Sequence, residues 1–306
     1  MTRRGWLIGV AILWLSGGLV AQTGYVPVRV FDSGRGALTD FEAMVADIAR
    51  ADVVFVGEQH DDPNTHRLEL AVLAGVARRR PDAIVAMEMF ERDVQEPLDH
   101  FSMGHTSEAD FLQVGRPWPR YVTDYKPLVD FAIEKNWPII ASNVPRNLAT
   151  EVSRGGLDVL SSKTSEERQW FAKDLQCPLD DDYFKRFGEA MGDHPAGGAT
   201  DTTAVASARQ TLERFYFAQC LKDETMGESI ALAYAAGAAG GKPPLVIHFN
   251  GAFHSDFGEG TAERARRRLP GKRIVVLSML PVANLDTIAP DAQERRRAEY
   301  LVYTIK

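Results

Sequence analysis

The sequence predicts an α/β protein: a mostly parallel sheet with helices on both faces and an inserted helical cap. Three observations carry this reading. Short runs rich in β-branched and aromatic residues alternate with stretches of helical period, the pattern of a sheet wound by crossover helices. Several of those runs end abruptly in polar residues, as parallel strands do where their carboxyl ends border a ligand crevice. Finally, residues 157–241 break the alternation with a long, mostly helical interval. With 306 residues, 45% hydrophobic and 25% charged, the composition suits a globular protein with a sizeable core.

At the N-terminus, Arg3 and Arg4 lead into an apolar stretch over residues 6–20, with small residues toward its end and Ala21 at a cleavage position. The alternative, a buried N-terminal helix, is disfavoured because the stretch has no polar face at all, so residues 1–21 are read as a secretory signal peptide and 22–306 as a single α/β domain. The arginine pair resembles a twin-arginine signal, but the leader before it is very short and ordinary secretion is preferred. No cysteine stands near the cleavage point for lipid attachment. The expected location is the periplasm or cell envelope, with membrane association only if the leader is retained.

The elements follow in order. Residues 26–31 alternate as a small edge strand, and 37–50 place Leu38, Phe41, Met44, Val45 and Ile48 at helical spacing. Residues 53–57 form a strand; Pro63 and Asn64 then start a helix whose Leu68, Ala71, Val72, Gly75 and Val76 share a face, ending near Pro81. A second strand over 83–90 ends in Glu88 and Glu91, followed by a helix through 94–101. A helix over 125–136 feeds the strand 138–141, two more strands over 244–249 and 273–280 flank a helix through 261–268, and 300–305 closes the sheet. Within 157–241, the segment 188–203 is rich in Gly, Ala, Asp and Thr, and 206–239 reads as one long helix or two joined ones. Phe215, Cys220, Met226, Ile230 and Tyr234 are its expected inward positions. A cap of this kind over the carboxyl ends of the strands would close a ligand pocket.

Charge narrows the function. Losing Arg3 and Arg4 with the leader takes the formal charge from −7 to −9, which argues against nucleic acid as a partner. The clusters Arg78–Arg80, Arg264–Arg268 and Arg295–Arg297 are read as solvated helix ends or faces. Cys177 and Cys220 are too few for a disulfide scaffold; they either pair in an oxidising compartment or sit as small core residues. Neither a nucleotide-binding glycine loop nor a G-x-S-x-G elbow is present.

The strongest constellation is the convergence of strand ends. Glu58 and His60, Glu88, Asn143 and Arg146, and Asn250 with His254 all follow predicted strands, so a parallel sheet gathers them on one rim. Polar groups clustered there need one another, a metal or a ligand. His60, His254, Glu58 and Glu88 are suitable ligands for a divalent transition metal, whose bound water would be a nucleophile. The same four without metal could work as an acid–base pair or form a hydrogen-bonded network. His66 either turns back to the rim or sits on the helix surface, His248 is read as a core histidine, and His100 and His105 are given no role. In the cap, Tyr183, Met191, His194, Tyr216 and Met226 suit a flat apolar cofactor such as haem, whose iron accepts His, Met, Cys or Tyr axially. Met and aromatic residues at helical spacing also make ordinary core, but His194 lies in the Gly-rich stretch, where packing does not explain it. The aromatic segment 118–125 lines a pocket or seats its loop.

Five motifs in series carry a resemblance: Gly57-Glu58-Gln59-His60-Asp61-Asp62 with His66 beyond; Met87-Glu88-Met89-Phe90; Asn143-Val144-Pro145-Arg146-Asn147; Ala218-Gln219 with Asp223-Glu224-Thr225-Met226; and Asn250-Gly251-Ala252-Phe253-His254. In this order the chain, from about Asp40 to its last strand, resembles the ChaN-like haem-binding uptake family, within the wider group of Tiki proteases and erythromycin esterases. The resemblance implies a secreted or lipid-anchored bacterial protein of iron acquisition that binds haem, often between two subunits. It further implies that Gly57, His60, Glu88 and His254 form the site that enzymatic members use for metal or acid–base catalysis. The missing leader cysteine departs from the lipoprotein pattern. The expectation is an exported haem-binding protein with haem between body and cap, across a homodimer. The alternative is a metal-dependent hydrolase of an ester or amide using His60, Glu58, Glu88 and His254.

Overall fold

The structure is a computed structural model, and it describes residues 26–192, 202–241 and 243–306. The expected signal peptide and His194 lie outside the described residues.

In chain order the elements are β1 (Val28–Asp32), β2 (Ala37–Thr39), α1 (Phe41–Ile48), β3 (Val53–Glu58), α2 (Pro63–Ala77), β4 (Ala83–Glu91), α3 (Gln95–Ser102), α4 (Glu108–Val114), α5 (Tyr121–Asp124) and α6 (Lys126–Glu134). There follow β5 (Ile139–Asn143), α7 (Arg146–Gly155), α8 (Asp182–Ala190), α9 (Thr202–Ala238), β6 (Leu245–Gly251), α10 (Gly260–Arg268), β7 (Ile274–Val282), α11 (Ala292–Arg295) and β8 (Tyr300–Ile305). The strands form one eight-stranded sheet in the order β2-β1-β8-β7-β3-β6-β4-β5. From β8 to β5 all neighbours are parallel, while β1 runs antiparallel to β8 and β2 antiparallel to β1.

The expected α/β architecture is therefore present. The sheet buries both faces, which is why β3, β4 and β6 read as unbroken apolar runs. On one face Val54, Val56, Val85 and Met87 pack with Val72 and Val76 of α2 and with Leu128 and Val129 of α6. On the other, Phe55, Ala86, Val246 and Val276 meet Ile230 and Tyr234 of α9 and Ala262 and Ala265 of α10. Helix α2 starts where expected: Pro63 occupies its first turn, and the Asp62 side chain accepts from the Asn64 and Thr65 N–H groups.

Some boundaries differ from expectation. Residues 37–39, read as the start of a helix, form the edge strand β2, with Leu38 paired to Phe31 and left 54% exposed. Asp40 then caps α1 by accepting the Ala43 N–H at 2.6 Å. The interval expected as a cap divides in two. Helix α8 and the early turns of α9 enclose an aromatic cluster of Tyr183, Phe184, Phe187 and Tyr216. The later turns of α9 instead cover one face of the sheet. Of the expected inward positions, Cys220, Met226, Ile230 and Tyr234 are buried, whereas Phe215 is 40% exposed.

Of the three arginine clusters, Arg264–Arg268 departs from a solvated reading, while Arg78, Arg79, Arg295 and Arg296 are exposed. Arg264 is buried, and it, Arg267 and Arg268 close around the buried Glu224 of α9, with Arg268 Nη2 at 2.6 Å and Arg267 Nη2 at 2.7 Å. A fully buried carboxylate requires such compensation, and α10 supplies it from the helix packed against α9. Cys177 and Cys220 form a disulfide that ties the segment before α8 to α9.

Candidate functional site

Parallel register brings the strand ends together. Glu58 ends β3 and pairs in register with Gly251 at the end of β6; Glu88 lies near the end of β4, and Asn143 ends β5. A tight turn after β6 carries His254 back over the rim. Two glycines, Gly57 and Gly251, leave room at these strand ends. A side chain at Gly57 would meet Ser255 Oγ at 2.9 Å and Ala252 Cα at 3.0 Å, and one at Gly251 would meet His60 Nε2 at 2.7 Å.

Two carboxylate–imidazole systems stand side by side. In the first, Glu88 Oε2 accepts the Gly251 N–H at 2.7 Å and Glu88 Oε1 lies 3.2 Å from His254 Nε2. His254 Nδ1 faces Asp223 Oδ1 at 2.7 Å, and Asp223 also accepts from the Thr261 hydroxyl at 2.8 Å and the Tyr183 hydroxyl at 2.7 Å. Burial works against charge on both members, yet their mutual attraction prevails: His254 rises to about 10, helped by Glu88 and Asp223, and Glu88 falls to about 2 through His254 and His60. His254 is thus a cation fixed between two buried carboxylates.

In the second, Glu58 Oε1 accepts from His60 Nδ1 and, at 3.0 Å, from the Tyr125 hydroxyl. Glu58 Oε2 lies 3.1 Å from His66 Nδ1, which also meets Glu69 Oε2 at 2.9 Å. His66 Nε2 faces the His60 carbonyl oxygen at 3.2 Å and Asp124 Oδ2 at 3.4 Å. Burial opposes the charge on Glu58, but hydrogen bonds from His60 and His66 hold it at about 2; Glu69 is pushed well above the carboxylate range by burial and by the charge on Glu58. His60 is raised despite burial, chiefly by its hydrogen bond to Glu58.

Above the rim opens a cleft of about 810 Å³. Glu58, His60, Gln219 and His254 form its floor; Tyr183, Phe187, Met191, Phe253 and Phe257 supply apolar lining, and Arg186 and Arg297 add cations. The Arg186 guanidinium stacks on Phe257, 4.2 Å from the ring centroid.

The remaining expected site residues fall into different roles. Asn143 and Asn250 shape the rim without lining the cleft. Asn143 donates to the Glu88 carbonyl at 3.0 Å, and Asn250 donates to the Gly251 carbonyl at 2.9 Å and the Ser255 hydroxyl at 3.0 Å. Arg146 does not reach the cleft: its side chain is 67% exposed and lies 3.8 Å from Glu91. Tyr216 is fully buried against Phe184 and Phe187, beneath the cleft and not in it. Tyr183 reaches the cleft, but burial and Asp223 raise its phenol well above the ordinary value, opposite to what an axial phenolate needs. His248 is the expected core histidine, facing Asn250 Oδ1 at 3.1 Å and the Ser142 hydroxyl at 3.0 Å.

The four expected metal ligands do not converge on one point, since His254 is held between Glu88 and Asp223. Among the described residues, the donors that share a space are Glu58, His66 and Glu69, all within 4.8 Å of one another. The aromatic segment contributes Trp118 against His60 and Tyr125 against His66. Sequence reasoning gave Asp223 and Glu69 no place in the site, Asp223 entering only within a motif, and took Tyr125 only as part of the aromatic segment 118–125. The signal for the first two is a charge on a buried helical stripe: Asp223 falls in step with Tyr216, Cys220 and Ile230, and Glu69 with Thr65, Val72 and Val76.

Fold and site together define an α/β protein with interlocked carboxylate–imidazole pairs beneath an aromatic cleft. The sequence pattern of the family described as "Haem-binding uptake, Tiki superfamily, ChaN" matches residues 44–265, and the chain belongs to that family. Among solved structures, ChaN of Campylobacter jejuni, described with cofacial heme binding, is 15% identical with a TM-score of 0.64, covering 91% of this chain and 97% of its own. That likeness shows a shared fold. An erythromycin esterase variant in its open conformation is 10% identical (TM-score 0.42, 92% of this chain and 83% of its own), and a type III effector is 10% identical (TM-score 0.42, 86% and 92%). No curated protein sequence matches the chain.

Proposed function

We propose that this protein is an exported haem-binding protein of iron uptake, which seats haem in the cleft between the α/β body and helix α8. The observation that carries the reading is the chemistry of that cleft: aromatic and thioether side chains from α8 and from the turn after β6, with Arg186 and Arg297 on the same wall. Its 810 Å³ lies within the roughly 300–1,000 Å³ of small-molecule pockets. Phe187, Met191 and Phe253 would hold the porphyrin by apolar burial, and Arg186 and Arg297, which pair with Glu259 and Asp256, would also reach its carboxylates. When bound, haem supplies an iron centre with axial positions. With Tyr183 bonded to Asp223 and Tyr216 sealed in the core, we assign the axial role to His194, close after Met191 in the chain. Export is supported by the signal-like leader and by the Cys177–Cys220 disulfide, since such bonds persist in oxidising compartments. No helix among the described residues is long and apolar enough to cross a membrane.

Titrating haemin into the mature protein should give a saturable Soret shift, and His194→Ala should change its position. A spectrum that stays that of free haemin would overturn the reading.

One observation favours a second activity. His60 faces the cleft with its imidazole hydrogen-bonded to the buried Glu58, the arrangement that orients a general acid–base histidine. Hydrolysis of an ester or amide that disappears in His60→Ala would support it; the absence of turnover across a panel of esters and peptides would dismiss it.

A further inference from the structure

The imidazole of His66 faces two carboxylates through one nitrogen. Its Nε2 lies 3.2 Å from the His60 carbonyl oxygen, which can only accept, so Nε2 carries a hydrogen and donates it. Nδ1 is aimed at Glu58 Oε2 and Glu69 Oε2, 3.1 and 2.9 Å away, so with both nitrogens facing acceptors the ring is held as an imidazolium, raised to about 10 by those two carboxylates against burial. Its Nδ1 proton occupies the point where three donor atoms converge, a position that a divalent cation takes by displacing it, as metal binding to such ligands releases protons. Two further facts point to a ligand. Glu58 and Glu69 are 1% and 0% exposed; Glu69 Oε1 has no hydrogen-bond partner, and Glu58 Oε2 meets the His66 ring at 3.1 Å. Glu58 Oε1 is fully engaged by His60 and Tyr125, so the carboxylate is oriented with its second oxygen toward His66.

We propose that Glu58, His66 and Glu69 form a closed site for a divalent first-row transition metal, sharing Glu58 with the cleft floor and separate from the His254–Glu88 pair. Donors on a four-coordinate ion at about 2.0–2.2 Å stand roughly 3.3–3.6 Å apart, so the observed separations open by only a few tenths of an ångström to admit one. Displacing the protons held by His66 and Glu69 leaves neutral imidazole and two carboxylates, which balance a 2+ charge, and mixed N and O donors suit Zn²⁺, Mn²⁺ or Fe²⁺. Glu69 Oε1, otherwise orphaned, supplies a fourth donor by bidentate binding. The His60 carbonyl and Tyr125 act as the outer contacts that fix ligand orientation in metal sites. Because Glu58 also holds His60, the ion would lock the cleft floor from below. This inference does not depend on haem binding.

The test uses the mature protein stripped by chelator and titrated with Co²⁺. One equivalent should bind with visible d–d bands and be displaced by Zn²⁺. Glu69→Gln, which keeps shape and removes charge, should weaken Co²⁺ by more than the roughly 10–100-fold that loss of an outer contact costs, with an unchanged circular dichroism spectrum. His254→Gln should retain the bands. If Glu69→Gln does not fold, His66→Gln serves in its place. No stoichiometric bands in the wild type, wild-type binding in both Glu69→Gln and His66→Gln, or loss in His254→Gln alone would each overturn the proposal.

Discussion

At the scale of single residues, the rim is set by what is small and what is neutral. Gly57 sits where β3 gives way to the site, and a methyl there would press on Ser255 Oγ at 2.9 Å, the Ala252 Cα at 3.0 Å and the Leu277 carbonyl at 3.3 Å. Two of those contacts are backbone and cannot rotate away. Gly57→Ala should therefore destabilise by about 1–3 kcal/mol, read as a lower urea midpoint at unchanged slope. His248 offers a cleaner electrostatic test. Burial lowers it from 6.5 to about 4, outweighing the opposing pull of Glu88 and Asn250. Between those values the unfolded chain binds the extra proton, so this stabilising contribution is present above pH 6.5 and is lost as pH falls toward 4. Over the full window the linkage amounts to about 3 kcal/mol. His248→Gln removes the titration, so the stability advantage of wild type over the variant should shrink by about that much between pH ~7 and ~4. Comparing paired denaturation curves cancels the other titrating groups; an advantage that does not vary with pH would refute the assignment.

At the scale of elements, α9 explains both what the sequence disclosed and what it hid. Strands β3, β4 and β6 were legible because a doubly covered sheet demands continuous apolar runs, and their polar ends followed from the parallel order. The residues that complete the site were not legible, because Asp223 and Glu69 are charges on buried helical stripes, and a charge in a helical pattern reads as surface. Only the partners on other elements, Tyr183, Thr261 and His254 for Asp223 and His66 for Glu69, make such burial tolerable, and these pairings are long-range or depend on which face packs. The arginines of α10 misled for the same reason. The disulfide was undecided from sequence because pairing requires knowing that the segment before α8 folds back on α9. It closes 43 residues of chain, for which loop-closure entropy gives about 4 kcal/mol. Replacing both Cys177 and Cys220 by serine should lower stability by roughly 2–4 kcal/mol. Protease cleavage should then become faster within residues 163–182, which the bond holds against α9; an unchanged cleavage pattern would mean that packing alone secures this segment.

At the scale of the whole molecule, the cleft has one apolar wall and a wide mouth. A porphyrin laid against Phe187, Met191 and Phe253 would keep its other face toward solvent, and exposed apolar area of that kind favours association at about 25 cal/mol per Å² removed from water. Two copies bringing their mouths together around a two-fold axis would cover both open faces at once, since an isologous contact uses the same patch twice. The prediction is that the mature protein sediments as a monomer without haemin and as a dimer with one haemin per chain. Association and binding are then linked, so apparent haemin affinity must rise with protein concentration, and dilution must release haemin and dissociate the dimer together. Sedimentation velocity monitored at the Soret band separates the outcomes. Absorbance moving at the dimer rate supports the two-fold enclosure, whereas a haem-loaded monomer with concentration-independent affinity would mean that a single chain shields the porphyrin by itself, with residues beyond the cleft wall covering its second face.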